Sequence, residues 1–289
     1  MLTACAVLGI STGGVAAAFD LDDLVGAHTP RAPEHVPLLA HVVVVVFENK
    51  EIGEVEGSSD APVFNRLSRL GADIPNYHGV THPSLPNYLA LVSGSTHGVA
   101  SDCTSCSVTG PSLGTTLRPG TWKTYAEELP SPGWLGSSTG EYAKKHNPLV
   151  YFRSLGKNPS LLRRSILPLG AFRRDLRHRA LPRFALVVPD LCHDMHDCGV
   201  SIGDRWLGSF LSPFLRSPKF KRGVVFVVFD EGYPSNHVPA LAVGPAVRTG
   251  SVFSKPTDHY GLLRTIEQAL DLPLLGRSRD AQSIGGIWR

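Results

Sequence analysis

The feature that most constrains this chain is a run of β-branched residues without a polar interruption. Five consecutive valines fill the interior of the segment His41–Phe47. A continuous apolar run of this length is typical of a strand buried on both faces of a parallel sheet, because a strand with one exposed face would alternate apolar and polar residues. Residues 184–189 and 224–229 repeat the pattern. We therefore predict an α/β fold built on a mostly parallel sheet.

Helical periodicity fills the intervals between these strands. Apolar residues recur at helical spacing, beside capping or turn residues, in segments 61–71, 85–93, 203–215 and 260–270. Alternating strands and helices predict a doubly wound sheet with helices on both faces. Residues 95–160 are rich in Gly, Ser, Thr and Pro, and we expect them to form a loop-rich cap over the site.

The predicted domain covers residues 40–275, with an N-terminal extension over 19–39 and a C-terminal tail over 276–289. The first 18 residues are apolar and small, and residues 16–18 suit a signal-peptidase site, although the positive n-region of such a leader is missing. Residues 2–5 also resemble a bacterial lipobox, which would make Cys5 an acylated anchor. A cleaved leader is the preferred interpretation, and a lipoprotein or an uncleaved chain are the alternatives. We expect a secreted or envelope-attached protein.

Four cysteines remain after the leader is set aside: Cys103, Cys106, Cys192 and Cys198. An even number suits disulfides in an oxidising compartment. Cys103 and Cys106 have the spacing of half a zinc knuckle, but no second knuckle follows. Disulfides are therefore the prediction. Three pairings are open, and the local one, in which Cys103 joins Cys106 and Cys192 joins Cys198, would tighten two loops that carry candidate site residues.

The net charge of the chain argues against one class of partner. A formal net charge of +3 and a pI near 8.6 are too mild to indicate a nucleic-acid partner. Seven arginines within residues 163–183 form one basic stretch. It is interpreted as a solvated helix face, with an anionic or phospholipid surface as the alternative. No obligate protein partner is evident.

A carboxylate follows each of the three apolar segments. Glu48 and Asn49 follow the first, Asp190 the second, and Asp230 and Glu231 the third. In open α/β sheets, ligands bind outside the carboxyl ends of the strands, so we expect these groups to converge on one crevice. Carboxylate and amide oxygens favour Mg²⁺, Mn²⁺ or Ca²⁺, whereas nearby histidines leave room for Zn²⁺ or Fe. The sequence therefore predicts a divalent metal site without identifying the ion.

Ser84 lies where a loop enters the predicted helix 85–93. Backbone amides and the helix dipole favour an anion at this position, which suits a hydroxyl that becomes phosphorylated. The alternative is that Ser84 only caps the helix. Combined with the strand-end carboxylates, the position favours a nucleophile.

Six motifs in the same order resemble the bacterial phosphoesterase family of acid phosphatases and phospholipases C, within the alkaline phosphatase superfamily. The resemblance covers about residues 40–275 and is carried by Phe47-Glu48-Asn49-Lys50, Thr81-His82-Pro83-Ser84-Leu85-Pro86-Asn87-Tyr88, Lys145-His146-Asn147-Pro148, residues 189–198, Asp230-Glu231 and His259-Tyr260. The sequence departs from the family pattern at Asp190 and His193, where asparagine is more usual.

The resemblance implies a role for each matched residue. Ser84 would be the nucleophile and His146 a second catalytic residue that contacts the phosphate or protonates the leaving group. The implied substrate contacts are Asn87, Asn147 and His196, and the implied metal ligands are Glu48, Asn49, Asp190, Asp230, Glu231 and His259.

The expected function is that of a metal-dependent phosphoric ester hydrolase that forms a phosphoserine and acts on a small phosphate ester. Two alternatives stay open. One is a phosphodiesterase of the phospholipase C type, and the other is a non-catalytic surface binding protein with the same fold.

Overall fold

The computed structural model describes residues 35–289. The predicted leader, Cys5 and most of the predicted extension 19–39 lie outside the described residues. One sheet of eight strands runs in the order β5-β4-β6-β1-β7-β8-β2-β9, and β3 and β10 pair separately. The strands are β1 His41–Phe47, β2 Ala72–Asp73, β3 Tyr77–His78, β4 Trp122–Ala126, β5 Ile166–Pro168, β6 Phe184–Val188, β7 Gly223–Phe229, β8 Ala240–Val243, β9 Ser251–Val252 and β10 Thr257–Asp258.

Nine α-helices and three 3-10 turns lie within the described part of the chain. The helices are α1 Ile52–Val55, α2 Pro62–Leu70, α3 Ser84–Ser93, α4 Leu113–Thr116, α5 Arg153–Gly156, α6 Pro159–Ser165, α7 Gly170–Arg177, α8 Val200–Leu215 and α9 His259–Ala269. The 3-10 turns are Lys144–His146, Pro148–Tyr151 and Gly276–Arg279. The four helices predicted from periodicity correspond to α2, α3, α8 and α9.

The valine run forms β1 at the centre of the sheet. It pairs in parallel with β6 on one side and with β7 on the other, with Val42 opposite both Phe184 and Val224. All residues of β6 and β7 are buried, as are all those of β1 after His41. Since alternate residues of a strand point to opposite faces, both faces of the sheet are covered here. The predicted α/β fold with a mostly parallel sheet is confirmed.

Residues 95–160 are not only a cap. They contribute β4, which lies between β5 and β6 in the main sheet. The sequence of β4, Trp-Lys-Thr-Tyr-Ala, lacks a continuous apolar pattern because two polar side chains interrupt it. Asp175 of α7 compensates the lysine: its carboxylate lies 2.5 Å from Lys123 Nζ and also accepts a hydrogen bond of 2.7 Å from Tyr125 OH. This partner is distant in sequence, which is why the local pattern did not indicate a strand.

The residues after 275, predicted to be a tail, pack against the domain. Trp288 is fully buried against Phe226, with ring centroids 6.3 Å apart, and its indole donates to Ile284 O at 2.9 Å. The backbone of Val247 forms an antiparallel bridge with that of Trp288. The final segment therefore contributes to the core.

Both local disulfides are present. Cys103 is bonded to Cys106, and Cys192 is bonded to Cys198. This confirms the predicted bridges with the local pairing. Across residues 35–289, no helix combines the length and the apolar character needed to cross a lipid bilayer.

Candidate active site

Two neighbouring parallel strands deliver acidic residues to one edge of the sheet. Phe47 and Phe229 lie opposite each other at the ends of β1 and β7, so Glu48 and Asp230 emerge side by side. The backbone N–H of Asn49 donates to Asp230 Oδ1 at 3.3 Å, and Asp230 N donates to Phe47 O at 3.0 Å. Glu48, Asp230 and Glu231 are all buried. The predicted convergence of the first and third strand ends therefore occurs.

Ser84 is the first residue of α3 and its side chain is buried among these carboxylates. Its hydroxyl donates to Glu48 Oε2 at 3.0 Å and lies 3.3 Å from Glu231 Oε1. Lys145 Nζ donates to Ser84 Oγ at 3.2 Å. The hydroxyl therefore lies between two carboxylates and an ammonium group, an environment that capping a helix does not require.

Asn87 shapes the loop that precedes Ser84. Its Oδ1 accepts from the backbone N–H groups of Val80 and Thr81 at 2.8 and 3.0 Å, and its Nδ2 donates to Thr81 O and Pro83 O at 2.7 and 3.2 Å. These four bonds use the full capacity of an amide side chain. Asn87 is thus placed to fix the loop, and a contact with phosphate would require one of these bonds to break.

His146 lies between two buried carboxylates. Its Nε2 is 3.2 Å from Glu48 Oε1, and its Nδ1 is 3.2 Å from Asp194 Oδ2. Both contacts have ion-pair distances, but neither ring nitrogen makes an aligned hydrogen bond. The Tyr88 ring stacks on the imidazole at 5.2 Å, and its hydroxyl donates to Glu48 Oε1 at 2.6 Å. His146 is therefore part of the acidic cluster and has no exposed surface.

The pKa values in this cluster show an excess of negative charge. Burial opposes ionisation of Glu48, but the charges of His146 and Lys145 outweigh it and lower the pKa of Glu48 to about 2. Burial and the charges of Glu48 and Glu231 raise the pKa of Asp230 well above its ordinary value. Burial likewise raises the pKa of Asp194 despite its contact with His146. The positive charges of His146 and Lys145 thus stabilise the ionised form of Glu48, whereas Asp230 and Asp194 lack enough positive charge nearby to offset their burial.

A divalent cation fits this arrangement. Glu48, His146 and Asp194 each offer a ligand atom, and these atoms all lie within 4.8 Å of one another. Three buried oxygens in the same region have no hydrogen-bond partner: Asn49 Oδ1, Asp194 Oδ2 and Asp230 Oδ2. Buried polar atoms normally have a partner, so these oxygens indicate a ligand that a metal ion would satisfy.

Two of the predicted metal ligands have other contacts. His259, the first residue of α9, bonds Asp230 O through Nε2 at 2.6 Å and Tyr77 OH through Nδ1 at 2.8 Å. Neither nitrogen is free for a metal in this arrangement, and burial lowers the pKa of the ring below its ordinary value. Its position suits it to orient the backbone at Asp230.

Asp190 belongs to a second cluster at the same edge, with Glu127 and His193. His193 Nδ1 lies 3.0 Å from both Glu127 Oε2 and Asp190 Oδ2, and Asp190 Oδ1 accepts from His193 N at 2.8 Å. The second strand end thus carries its own group of ligand-type residues. The Asp190 carboxylate belongs to this second cluster and does not contact Ser84.

The other two predicted substrate contacts, His196 and Asn147, differ in exposure. His196 is exposed, and its Nε2 lies 3.4 Å from Lys145 Nζ. Asn147 is buried, donates to Tyr142 OH at 3.1 Å and leaves its Oδ1 without a partner. The roles of both residues toward phosphate stay predictions.

Four residues that contact the cluster were absent from the predicted site: His82, Asp102, Lys145 and Asp194. His82 pairs with Glu231, and its ring stacks on Tyr233. His82 and Lys145 stood inside the family motifs, and Asp194 stood in the loop where acids and histidines are dense. Asp102 gave no signal, because only the folded chain brings it to α3.

The sequence of this chain is similar to those of known phosphoesterases. Residues 57–273 match the model of the phosphoesterase family. The chain is 36% identical over 284 residues to a phosphatidylinositol-3-phosphatase from Mycobacterium tuberculosis, covering 95% of this chain and 92% of that protein. It is 33% identical over 232 residues to a phosphate-repressible acid phosphatase from Penicillium chrysogenum, covering 74% of this chain and 55% of that protein. The chain therefore spans only about half the length of this fungal relative.

Solved structures share the fold at low identity. A protein in the alkaline phosphatase superfamily from Vibrio parahaemolyticus superposes with a TM-score of 0.59 at 11% identity, covering 83% of this chain and 68% of that one. The lipoteichoic acid synthase LtaP from Listeria monocytogenes gives 0.59 at 11%, covering 91% and 78%. The prediction of an enzyme acting on phosphoric ester bonds is confirmed through its relatives, and the chain belongs to the phosphoesterase family.

Proposed function

We propose that this protein is a metal-dependent phosphatase that acts through a phosphoserine at Ser84. The observation that carries the proposal is the position of the Ser84 hydroxyl, within 3.3 Å of Glu48, Glu231 and Lys145 at the amino end of α3. A non-catalytic binding protein would not need a buried hydroxyl in contact with both signs of charge.

Glu48, His146 and Asp194 would hold the cation, with Asn49 and Asp230 offering further oxygens. A bound divalent cation lowers the pKa of a hydroxyl and neutralises phosphoryl oxygens. His146, proposed from the family resemblance as a second catalytic residue, is better placed as a ligand, because it is fully buried and offers a ring nitrogen within 4.8 Å of ligand oxygens of Glu48 and Asp194.

The chain supplies the groups for two successive displacements. Ser84 Oγ attacks phosphorus as its proton passes to a carboxylate, the bond to the ester oxygen breaks, and the alkoxide leaves as an alcohol after taking a proton from solvent water. Glu48 orients the hydroxyl but is a poor base because of its low pKa. Glu231, whose pKa is raised by burial, is the better acceptor for the Ser84 proton. Water then cleaves the phosphoserine and restores the hydroxyl, which releases inorganic phosphate.

Phosphate monoesters are the proposed substrates, in preference to the diesters of a phospholipase C. The support is that the relatives above are named as a phosphatidylinositol-3-phosphatase and an acid phosphatase. Secretion or attachment to the cell envelope is proposed on the two disulfides, since such bonds persist in oxidising compartments.

Ser84→Ala tests the nucleophile, and Ser93→Ala is the matched control. Ser93 is a buried serine at the other end of α3 and bonds only backbone and His97. Ser84→Ala should lower turnover of p-nitrophenyl phosphate by at least about a thousandfold. Acid quenching with a ³²P-labelled monoester should trap label on the wild type and on Ser93→Ala alone. Label on Ser84→Ala would refute the proposal, and faster turnover of phosphatidylcholine than of monoesters would favour the diesterase.

A further inference from the structure

Lys145 lies directly over the proposed nucleophile. Its Nζ is 3.2 Å from Ser84 Oγ, 3.2 Å from Asp102 Oδ2 and 3.4 Å from His196 Nε2. These three contacts match the three protons of an ammonium group. The 3-10 turn Lys144–His146 explains the placement, because the same turn that inserts His146 between the carboxylates brings Lys145 over Ser84.

The amino end of α3 already holds an anion that belongs to the chain. Asp102 Oδ1 accepts the backbone N–H of Leu85 at 2.9 Å, while its Oδ2 pairs with Lys145. The helix end therefore does not offer this amide to a substrate, although helix ends commonly bind phosphate. Beyond the proposed cation, positive charge for a phosphoryl group at Ser84 would come from a side chain rather than from this amide.

Among residues 35–289, Lys145 supplies the cationic side chain that contacts the Ser84 hydroxyl. Since its Nζ is already at hydrogen-bond distance from Oγ, a phosphoryl group bonded to Oγ brings its own oxygens within reach of the ammonium. The side chain of Lys145 is 18% exposed and that of Asp102 is 31% exposed, so the pair lies at the open side of a buried hydroxyl.

We propose that Lys145 is a catalytic residue that binds the transferred phosphoryl group, and that Asp102 is a positioning residue that holds Lys145 beside Ser84. The proposal rests on the proposed role of Ser84. No bond to Lys145 forms or breaks: when Oγ becomes esterified, the Lys145–Ser84 hydrogen bond is replaced by one from Nζ to a phosphoryl oxygen.

Lys144 provides a matched control. It lies in the same 3-10 turn, but its Nζ donates to Thr104 O at 2.6 Å and lies over the Tyr151 ring at 5.2 Å. Lys144→Met therefore removes one lysine charge from the same turn without touching Ser84. Lys145→Met removes the proposed phosphate contact, and Lys145→Arg keeps the charge.

The experiment measures kcat and KM for p-nitrophenyl phosphate, and the Kd for inorganic phosphate by calorimetry on the metal-loaded enzyme. Lys145→Met should lower kcat/KM about a hundredfold or more and weaken phosphate binding at least tenfold, in line with the loss of one donor to a developing charge. Lys145→Arg should recover part of both, and Lys144→Met should stay within about twofold of wild type. Unchanged phosphate binding and kcat/KM in Lys145→Met would overturn the proposal.

Asp102→Asn separates positioning from helix capping. The amide oxygen can still accept from Leu85 N, but the ion pair is lost, so we expect kcat to fall about tenfold while Tm stays within about 2 °C. A wild-type kcat in this variant would remove the positioning role of Asp102. Failure of the Ser84 proposal is distinguishable, because Ser84→Ala would then stay active while Lys145→Met would still weaken binding of inorganic phosphate.

Discussion

The two edges of the same sheet differ in both charge and burial. The carboxyl edge carries buried acids, among them Glu48, Asp230 and Glu231, around one serine. The amino edge carries a cavity of about 370 Å³ where β1 and β7 begin. Within residues 35–289, its lining includes no carboxylate and includes the basic residues His41, Arg179, Lys219, Lys221 and Arg222.

The difference shows which charges the fold has to compensate. Exposed cations at the amino edge are solvated by water, so their repulsion costs little. Buried acids at the carboxyl edge have no such relief, and their raised pKa values show the cost. The proposed divalent ion would compensate this charge. Substitutions at the first edge should therefore change little, and substitutions at the second should change metal affinity and catalysis.

The largest effect should come from a substitution in the cluster around Ser84, and the same substitution in the cluster of Glu127, Asp190 and His193 should have little effect. Glu48→Gln removes a buried carboxylate that contacts both Ser84 and His146, so we expect retained metal and turnover each to fall by two to three orders of magnitude. Glu127→Gln makes the same chemical change in the second cluster, and turnover should stay within a few-fold. Metal content by mass spectrometry and steady-state kinetics are the measurements. Equal losses in both variants would mean that the clusters act as one site.

The disulfide that closes residues 192–198 should have the next largest effect. Replacing both Cys192 and Cys198 by serine frees the loop that carries Asp194, so kcat should fall about tenfold. Loss of this small loop closure should also lower the free energy of unfolding by about 2 kcal/mol. Kinetics and urea denaturation measure the two effects. Unfolding at a lower urea concentration with full activity would show that the bridge does not shape the site.

The buried acids also predict how pH changes the stability of the metal-free protein. Burial lowers the pKa of His146, but Glu48 and Asp194 outweigh it and raise that pKa to about 9, above its ordinary value of 6.5. Its stabilising contribution is complete below pH 6.5 and disappears as pH rises through 9. The raised pKa values of Asp194 and Asp230 act in the same direction, because folding favours their protonated forms.

We therefore expect the Tm of chelator-treated protein to fall by several degrees between pH 6 and 9. Saturating divalent metal should flatten this slope, since metal binds the deprotonated ligands. Scanning calorimetry with and without the chelator measures both curves. A Tm that rises with pH in the metal-free protein would contradict the prediction.

The smallest effect should come from the amino edge. Lys221→Glu combined with Arg222→Glu reverses two exposed charges about the length of β1 away from Ser84. Turnover of p-nitrophenyl phosphate should stay within about twofold at physiological salt, because screening removes most of the field at that distance. A large loss of turnover would show that the two edges are coupled.

Much of the fold could be predicted because the central strands carry their own signal. The valine run of β1 and the apolar runs of β6 and β7 need no partner to be read as buried strands, since both of their faces are covered. β4 could not be predicted, because Lys123 is compensated by Asp175, which follows 52 residues later. Pairs of this kind are visible only in the folded chain.

The site, like the fold, could be predicted in part from the sequence. The first and third strand ends meet at Ser84 because β1 and β7 are neighbours in parallel register. Asp190 was predicted to lie in the same crevice, but its carboxylate pairs with His193. His193 also pairs with Glu127, which follows β4, the strand missed in the sequence. Lys145 and Asp102 depend on a turn and a loop whose geometry follows from tertiary contacts, and periodicity carries no information about them.

The central position of β1 also has a consequence for when activity first appears during synthesis. Val42 pairs with Phe184 and Val224, so the strand that carries Glu48 becomes fixed only after most of the chain has been made. Contacts of such long sequence separation form slowly, because the entropy of closing large loops must be overcome first. A nascent chain that ends before Glu231 lacks part of the cluster around Ser84, so a polypeptide threaded unfolded through a membrane would remain inert until it refolded on the far side.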